Sequence, residues 1–324
     1  MFLTQVIFLS CPKIKILKNV ISYEYSYLNI LHIWDQSGVA CILSKYQIKL
    51  GHQSVVLRRS NYDPYGIYKF YDNLVEFAEE KDFFELCLAR AKNADIIHIH
   101  SRADVLLYLR KKLGDNFKVI MHFHGSDLRG IDQKYRSLKL TSIPKAMFKR
   151  YTANKIRKRN NLEAIRTADS ILVSTPDLLS KILGATPILL NNPVDQEHFC
   201  KKQGGRFDSN KRYFTFKTEA TSDIEWIIKF CKKNGIDNVE IVDRINNPIL
   251  YAEMPKFLHQ YDIYVDVRFV NNTLLENFSK TALESLSCGL EVIDFQMKKW
   301  SKLPVDNEPM NAANKVLKIY EEVM

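Results

Sequence analysis

The sequence predicts an α/β protein in which two doubly wound, mostly parallel sheets face each other across a cleft. Three observations support this fold class. Short apolar segments typical of strands alternate with helical segments, with six predicted strands before residue 200 and four after it. A polar, glycine-bearing stretch at 201–211 separates the two runs, as a linker between domains does. The 324 residues, of which 46% are hydrophobic, are enough for two domains with cores of their own.

The first predicted βαβ unit occupies residues 28–57. Leu28–Trp34 is an apolar run with strand character, and 39–50 repeats apolar residues at helical spacing. Gly51 follows where a helix-ending glycine belongs, and Ser54–Leu57 is the next predicted strand. A strand–helix–strand unit of this kind puts its two strands parallel, with the helix across one face.

The remaining predicted elements continue the alternation. Before the linker they are a helix at about 74–92, a strand at 95–100, a helix at 103–113, a strand at 117–123, a long basic helical stretch, a strand at 170–174, a helix at 177–183 and a strand at 187–190. After it they are strands at 213–216, 239–242, 263–267 and 291–295, with helices at 224–233, from 255, at about 280–287 and at 312–323. We therefore assign 28–200 to an amino-terminal domain and 201–324 to a carboxyl-terminal one, with 1–27 as an extension.

Composition excludes several classes of protein. The 26% of charged residues is ordinary for a folded chain and argues against a disordered or fibrous protein. Six cysteines without C-x-x-C spacing favour reduced thiols over a disulfide framework or a zinc site. The apolar run 2–9 is too short to span a bilayer, and its lysines follow it, unlike those of a secretory signal. These features favour a cytoplasmic location.

The net charge of +10 comes from one segment. Residues 133–162 contain ten Lys or Arg and no Asp or Glu, so the remaining 37 basic residues balance 37 acidic ones. Apolar residues are interleaved with the charges, which suits a helix that docks on an anionic membrane surface. The predicted docking residues are Lys145, Phe148, Lys149, Arg150, Lys155, Arg157, Lys158 and Arg159. Nucleic acid is the alternative anionic partner.

Ligands of open α/β sheets bind beyond the carboxyl ends of the strands, and two loops there are candidates. In the loop after the first strand, Ser37 and Gly38 open a helix whose amides could hold a phosphate, although a plain tight turn is an equal alternative. His98/His100 and His122/His124 form two His-x-His pairs, for which a metal site is conceivable and a core position for His98 and His122 is favoured. His124 precedes Gly-Ser-Asp at a strand end and is predicted to be a polar site residue.

The segment 276–289 (ENFSKTALESLSCG) is the third candidate. Ser279 is a predicted N-cap of a helix that begins near Lys280, and free amides there could hold a diphosphate. Glu276 and Glu284 flank this helix start, and a carboxylate accepts two sugar hydroxyls well. Either glutamate taken alone would be an ordinary surface residue.

These residues together resemble the GT-B-fold glycosyltransferases of the large retaining family 4, which transfer sugars from nucleotide-sugar donors. The similarity extends from about residue 28 to residue 295 and rests on the order and spacing of its markers. They are the strand–loop–helix at 30–51, ADIIHIH at 94–100, HGSD at 124–127, ADSILVS at 168–174, NNPVD at 191–195 with Phe199, and Glu276-x7-Glu284 leading into CGLEVI at 288–293.

The resemblance implies two Rossmann-like domains and a donor site between them. It makes His124 and Glu276 the catalytic candidates, with Glu276 on the sugar hydroxyls and Glu284 on the nucleotide ribose. The other implied donor-binding residues are Ser37, Gly38, Asn277, Phe278, Ser279 and Lys280. It also implies retention of anomeric configuration, no metal or other cofactor, and closure of the domains over the donor.

The sequence departs from the family pattern in its second domain. The Gly-Arg pair and the lysine that usually face the diphosphate are missing from 213–219, where Arg212, Lys217, Arg268 or Lys280 could supply the charge. The usual Gly-Phe-Gly is Asn277-Phe278-Ser279, and about one βα unit is absent. Residues 1–27 match nothing in the family and are either a membrane-leaning segment or the product of an upstream start codon.

The function that follows is a peripheral membrane glycosyltransferase that moves a hexose to a lipid-linked or cell-envelope glycan acceptor. Two alternatives stay open. One is a glycosyltransferase-like binding subunit that has lost turnover together with the missing basic pair. The other is a nucleic-acid-binding protein that uses the basic stretch 133–162, which ranks below the membrane as a partner.

Overall fold

The structure is a computed structural model that describes residues 27–60, 63–129, 143–201, 211–218, 224–270 and 273–324. The first sheet contains seven strands: β1 (Asn29–Ile33), β2 (Gln53–Arg59), β3 (Val75–Ala78), β4 (Ile96–His100), β5 (Lys118–Phe123), β6 (Ser170–Val173) and β7 (Ile188–Leu189). Its helices are α1 (Val39–Lys49), α2 (Ile67–Phe70), α3 (Phe83–Ala91), α4 (Ala103–Leu113), α5 (Ser126–Arg129) and α6 (Ile143–Thr167). All seven strands are parallel, in the order β3-β2-β1-β4-β5-β6-β7.

The second sheet is smaller. Its strands are β8 (Tyr213–Lys217), β9 (Val239–Asp243), β10 (Ile263–Val265), β13 (Glu291–Ile293) and β14 (Lys299–Trp300), with a separate hairpin of β11 (Phe269–Val270) and β12 (Thr273–Leu274). Its helices are α7 (Ile224–Lys233), α8 (Met254–Leu258), α9 (Lys280–Ser287) and α10 (Pro309–Val323). The order is β14-β13-β10-β8-β9, and β14 alone is antiparallel to its neighbour. The predicted fold class, two doubly wound parallel α/β units, is confirmed.

All ten predicted strands are present, and one predicted helix is partly wrong. Residues 75–78 form the edge strand β3, which pairs with β2 through Val56 and Val75, and α3 begins only at Phe83. The helical prediction failed there because a four-residue strand at a sheet edge is too short to show its own period. The predicted helix at 177–183 is a 3-10 helix, Pro176–Lys181.

The core of the first domain lies on both faces of its sheet, because the side chains of each central strand alternate between the two faces. One face of β1, β4, β5 and β6 packs against α3, α4 and α6 through Ile, Val, Met and Phe side chains. The opposite face packs against α1 and α10, with Ile30, Ile96, Ile120 and Leu172 at the amino halves of the strands. Because side chains of a strand alternate between faces, the same face continues toward the carboxyl ends through polar residues, most of them histidines.

The last helix returns to the first domain. We placed residues 309–323 with the second domain in sequence, yet α10 packs on α1 and on the first sheet through Val316, Leu317 and Tyr320. A second link is polar: Tyr71 donates to Asp195 at 2.8 Å and lies 3.0 Å from the Tyr251 hydroxyl. The two sheets are therefore held together by a buried interface as well as by the linker. No described helix combines the length and the apolar character needed to cross a membrane.

Candidate functional site

A cleft of about 230 Å³ opens where the carboxyl ends of the two sheets face each other. Its walls come from the loop after β1, the ends of β5 and β6, and the start of α9. The lining residues are Gln36, Ser37, Val39, His124, Arg129, Thr175, Asn192, Phe216, Thr218, Tyr264, Arg268, Asn277, Phe278, Ser279, Lys280 and Thr281. A site at this edge is what the topology of open α/β sheets predicts.

The amino terminus of α9 points into the cleft. Ser279 is its N-cap, as predicted: the Ser279 side-chain oxygen accepts a hydrogen bond from the Ala282 amide at 2.9 Å. The Ser279 amide itself donates to Asp266 at 2.8 Å, which fixes the position of the helix start. The amides of Lys280 and Thr281 have no acceptor within the helix because of their position in its first turn. They form a site for a negatively charged oxygen at the cleft wall.

Lys280 brings a positive charge to the same wall. Its ammonium group donates a hydrogen bond to the Pro193 carbonyl. Burial lowers the pKa of Lys280, while the negative charges of Glu284, Asp35 and Asp195 act in the opposite direction. Glu284 is 5% exposed, and burial raises its pKa to about 7, opposed by Lys280 and Arg244. A carboxyl group that changes charge near neutral pH therefore lies beside the half-buried Lys280, one helical turn behind the residues that line the cleft.

Two arginines also line the cleft, and each is paired with a carboxylate. Arg268 donates to Asp266 at 3.0 Å and to the Asn277 side-chain oxygen at 2.8 Å. Arg129 forms a bidentate ion pair with Asp177, with both distances 2.7 Å. The Asn277 side-chain amide also donates to Asp177 at 3.0 Å, so hydrogen bonds join the two arginines across the cleft.

Arg129 was missed by the sequence prediction. It lies on α5, two residues after Asp127, and its guanidinium also donates to Thr175 at 2.7 Å. Gly125 makes room for it: a Cβ at Gly125 would overlap the Arg129 guanidinium. The available signal was an arginine just after the predicted HGSD marker at a strand end.

Two of the other three residues predicted to face the diphosphate, Arg212 and Lys217, do not line the cleft. Arg212 lies just before β8, at the amino end of the second sheet, where its amide donates to Asp262 at 2.8 Å. Lys217 is at the carboxyl end of β8, but its ammonium pairs with Asp243 at 2.8 Å and does not line the cleft. Of the three, only Arg268 is a cleft residue.

The loop after β1 is a tight turn, which was the alternative to a phosphate site. The amides of Gly38 and Ala40 donate to the buried carboxylate of Asp35 at 2.7 and 2.6 Å. The Asp35 carboxylate thus occupies the start of α1, and the Gly38 amide is not free to bind a phosphate. Ser37 does line the cleft.

Glu276 lies in an adjoining cavity of about 320 Å³ instead of the cleft itself. The two spaces share Thr175, Asn192, Asn277 and Phe278 as lining residues. Glu276 is exposed there, opposite Trp300 and Asp294. Glu276 therefore belongs to the cavity beside the cleft and not to the cleft itself.

His124 borders the cleft and joins it to a buried histidine cluster. Of the eight histidines in the chain, His32, His98, His100, His122 and His124 lie against one another on the α1/α10 face of the first sheet. His98 and His122 are fully buried, as predicted. Within the described residues, two triads sharing His100 bring one nitrogen from each ring to within 4.8 Å of the others.

The basic helix α6 is exposed or half-buried at its described side chains before residue 161. The Asn161 side chain is buried and donates to the Asp127 carbonyl at 3.0 Å, whereas none of the described side chains at 152–160 is buried. Residues 143–160 extend about 27 Å at about 1.5 Å per residue. Of the predicted docking residues, Lys155, Lys158 and Arg159 are exposed and Arg157 is half-buried. The side chains of Lys145, Phe148, Lys149 and Arg150 lie outside the described residues.

Two facing Rossmann-like sheets with a cleft between them and a last helix that returns to the first domain define the GT-B fold, the architecture of a large class of glycosyltransferases. Structures of this class are similar to the chain. An alpha-glucosyltransferase in complex with UDP and a 13-mer DNA containing an A:G mismatch aligns with a TM-score of 0.53 at 13% identity, covering 91% of this chain and 89% of that one.

Two further structures show the range of the similarity. An alpha-glucosyltransferase in complex with UDP-glucose and DNA containing an abasic site gives a TM-score of 0.51 at 11% identity, covering 92% of this chain and 91% of that one. A sucrose-phosphate synthase from Thermosynechococcus elongatus gives 0.48 at 12% identity and covers 90% of each chain. Neither protein-family profiles nor curated protein sequences match this sequence. At these identities the two alpha-glucosyltransferase alignments establish the fold alone.

Proposed function

We propose that this protein is a glycosyltransferase that takes a sugar from a nucleoside-diphosphate donor bound in the cleft. The observation that carries the proposal is the start of α9, where two amides without helical acceptors and the half-buried Lys280 face one space. A diphosphate matches this arrangement because it offers several charged acceptor oxygens at once.

The donor is oriented by groups around that diphosphate. In our proposal Arg268 and Arg129 extend the positive wall, Glu284 accepts the ribose hydroxyls, and Glu276 reaches the sugar from the adjoining cavity. As the glycosidic bond to the diphosphate breaks, negative charge grows on the leaving oxygen, and these preorganised donors stabilise it. We propose that the reaction retains the anomeric configuration and proceeds without a metal, since the cations of the chain neutralise the leaving group.

Lys280 provides the test of donor binding. Lys280→Gln keeps a hydrogen-bond donor of similar length and removes the charge, and we expect the Kd for UDP, measured by calorimetry, to rise about 10- to 100-fold. Lys229→Gln is the matched control, since Lys229 lies on α7 outside the cleft. Unchanged binding in Lys280→Gln would remove the proposed diphosphate site.

For the acceptor, we propose a lipid-linked or cell-envelope glycan presented at an anionic membrane surface, with the protein attached peripherally to the cytoplasmic face. The exposed Lys155, Lys158 and Arg159 of α6 support this proposal, and so does Ile156, which is 59% exposed beside them. Charges with an exposed apolar side chain are typical of helices that lie in a membrane interface.

A nucleic-acid acceptor is the second candidate, because two of the similar glucosyltransferases are complexes with DNA. Co-sedimentation with vesicles of anionic and neutral lipid, compared with filter binding of duplex DNA across a salt series, separates the two. We expect binding to anionic vesicles that weakens in a variant with Lys155, Lys158 and Arg159 changed to Gln. Binding to DNA alone would replace the membrane proposal.

A further inference from the structure

The five clustered histidines belong to a closed circuit of hydrogen bonds behind the cleft. Its eight members are, in order, Gln47, His32, His100, His124, Ser174, His122, His98 and Tyr320, and the last returns to Gln47. The joining distances run from 2.6 Å between His98 and Tyr320 to 3.4 Å between Tyr320 and Gln47. Seven members are at most 2% exposed, and His124 is the one that borders the cleft.

The amide of Gln47 fixes the direction of every hydrogen bond. Its carbonyl oxygen can only accept, so His32 donates to it from Nε2 at 2.9 Å. A neutral imidazole has one N–H, so His32 Nδ1 accepts from His100 Nε2, and His100 Nδ1 accepts from His124 Nε2.

The same rule continues through the second half of the circuit. The hydroxyl of Ser174 donates to His124 Nδ1 and accepts from His122 Nε2. His98 Nε2 then donates to His122 Nδ1, and the hydroxyl of Tyr320 donates to His98 Nδ1. All five imidazoles are therefore Nε2–H tautomers, and each ring donates once and accepts once.

The ring geometry favours this circuit over a metal centre. His98 and His100 stack with centroids 4.3 Å apart and planes inclined by 14°, and His122 and His124 lie 4.1 Å apart. Nitrogen lone pairs lie in the ring plane, so stacked rings direct them along similar lines instead of toward one ion. Each nitrogen already has a hydrogen-bond partner, which leaves the cluster complete as neutral imidazoles.

Adding a proton to His124 would disturb the whole circuit. An imidazolium donates from both nitrogens, so Ser174 would have to accept from Nδ1 and turn its own proton toward His122, which already donates to it. Two charges act on the pKa of His124: Asp127, whose carboxylate accepts a hydrogen bond from the His124 backbone amide at 2.9 Å, and Lys280. Burial outweighs Asp127 and lowers the pKa of His124 to about 4.

We propose that the circuit is a positioning device for the donor cleft, in which Gln47, His32 and His100 act on His124 from behind and hold it as a neutral Nε2–H tautomer whose nitrogens both point into the protein. This inference rests on the proposed function, since His124 borders the space assigned to the donor. In this inference His124 shapes the cleft wall, and Lys280 and the two arginines balance the charge of the diphosphate.

Nitrogen-15 NMR of histidine-labelled protein without ligand tests the proposal, since protonated and unprotonated ring nitrogens have distinct shifts. In the wild type we expect five Nε2–H tautomers that do not titrate between pH 5.5 and 8. Gln47→Leu removes the acceptor that sets the direction, three hydrogen bonds from the cleft. We expect His124 in that variant to show a mixture of Nε2–H and Nδ1–H tautomers.

Two variants separate positioning from packing. Gln47→Glu keeps an acceptor toward His32 and should retain the Nε2–H form of His124. Ser54→Ala removes only a hydroxyl that donates to the same Gln47 oxygen at 2.9 Å, and it should behave as the wild type. Both variants keep the oxygen on which the direction of the circuit depends.

Three results would overturn the inference. One is a mixture of tautomers in the wild type, a measurement that does not depend on whether any variant folds. Another is an unchanged His124 in a folded Gln47→Leu. The third is stoichiometric uptake of Zn²⁺ alone with loss of the histidine N–H signals, which would make the cluster a metal centre. Because the spectra are recorded without donor, a failure to bind UDP would refute the proposed function without affecting this result.

Discussion

In the proposed donor site, we expect Glu284 to give donor binding a pH dependence whose size follows from the burial of its carboxyl group. Burial raises its pKa to about 7. In the proposed site the ionised carboxylate accepts ribose hydroxyls, so the apparent Kd is multiplied by 1 + 10^(pKa − pH). That factor is about 11 at pH 6 and about 1.1 at pH 8. We therefore expect the affinity for UDP-glucose to rise about tenfold between these two pH values.

The stability of the protein without ligand should change in the opposite direction. The folded-state pKa of Glu284 lies above its ordinary value of 4.5, so the folded protein binds more protons between pH 4.5 and about 7. Its contribution to stability is present below this range and is lost as pH rises through it. Glu284→Gln should therefore be more stable than the wild type at pH 8 and lose this component of the pH profile.

Calorimetry at pH 6, 7 and 8 with wild type and Glu284→Gln measures the effect. UDP-glucose is suited to it because both of its phosphates are esterified and lack the second ionisation near pH 6 of a free phosphate. Glu284→Gln should bind about ten times more weakly at pH 8, with no slope. Glu163→Gln, on an exposed part of α6, is the control that keeps the slope. A flat wild-type profile, or an equal slope in Glu284→Gln, would refute the reasoning.

Three further predictions follow from the packing and charge of the site. Gly125→Ala should lower the free energy of unfolding by about 1–3 kcal/mol in urea titrations, since φ at Gly125 is +123° and the added Cβ meets Arg129; an unchanged midpoint would contradict it. Tyr71→Phe removes one hydrogen-bond donor from the buried Asp195 and should lower the free energy of unfolding by about 1–3 kcal/mol, measured by thermal unfolding. An unchanged free energy would contradict this prediction and would show that Lys45 alone satisfies Asp195. Binding of UDP-glucose should be the same with and without EDTA, and a loss that Mg²⁺ restores would show that the cleft needs a metal.

Most of the fold could be predicted from the sequence because its elements are local. The buried strands at 96–100 and 118–123 are apolar runs bounded by turns, and Gly114 ends α4 where expected. The edge strand β3 was lost because four residues carry little periodicity. The return of α10 was missed because its apolar face shows that it is buried but not against which sheet.

The site could be predicted only where one segment supplies it. Ser279 and Lys280 were found because the cap and the helix start are adjacent in sequence. Arg129 and Asn277 meet through Asp177, more than 40 residues from either, so no single motif shows their bridge. His32 was overlooked for the same reason: its partner His100 follows 68 residues later and becomes a neighbour only through the pairing of β1 with β4.

The return of α10 also determines when the first domain can finish folding. Leu43 and Ile96 are buried in the same core cluster as Val316 and Leu317, which are made more than 200 residues later. A growing chain that has completed the seven strands on the ribosome therefore still presents an open apolar face and an unclosed hydrogen-bond circuit that lacks Tyr320. Such a nascent domain is a natural client for chaperones until the second domain has been synthesised, and contacts of this sequence separation slow the final closure.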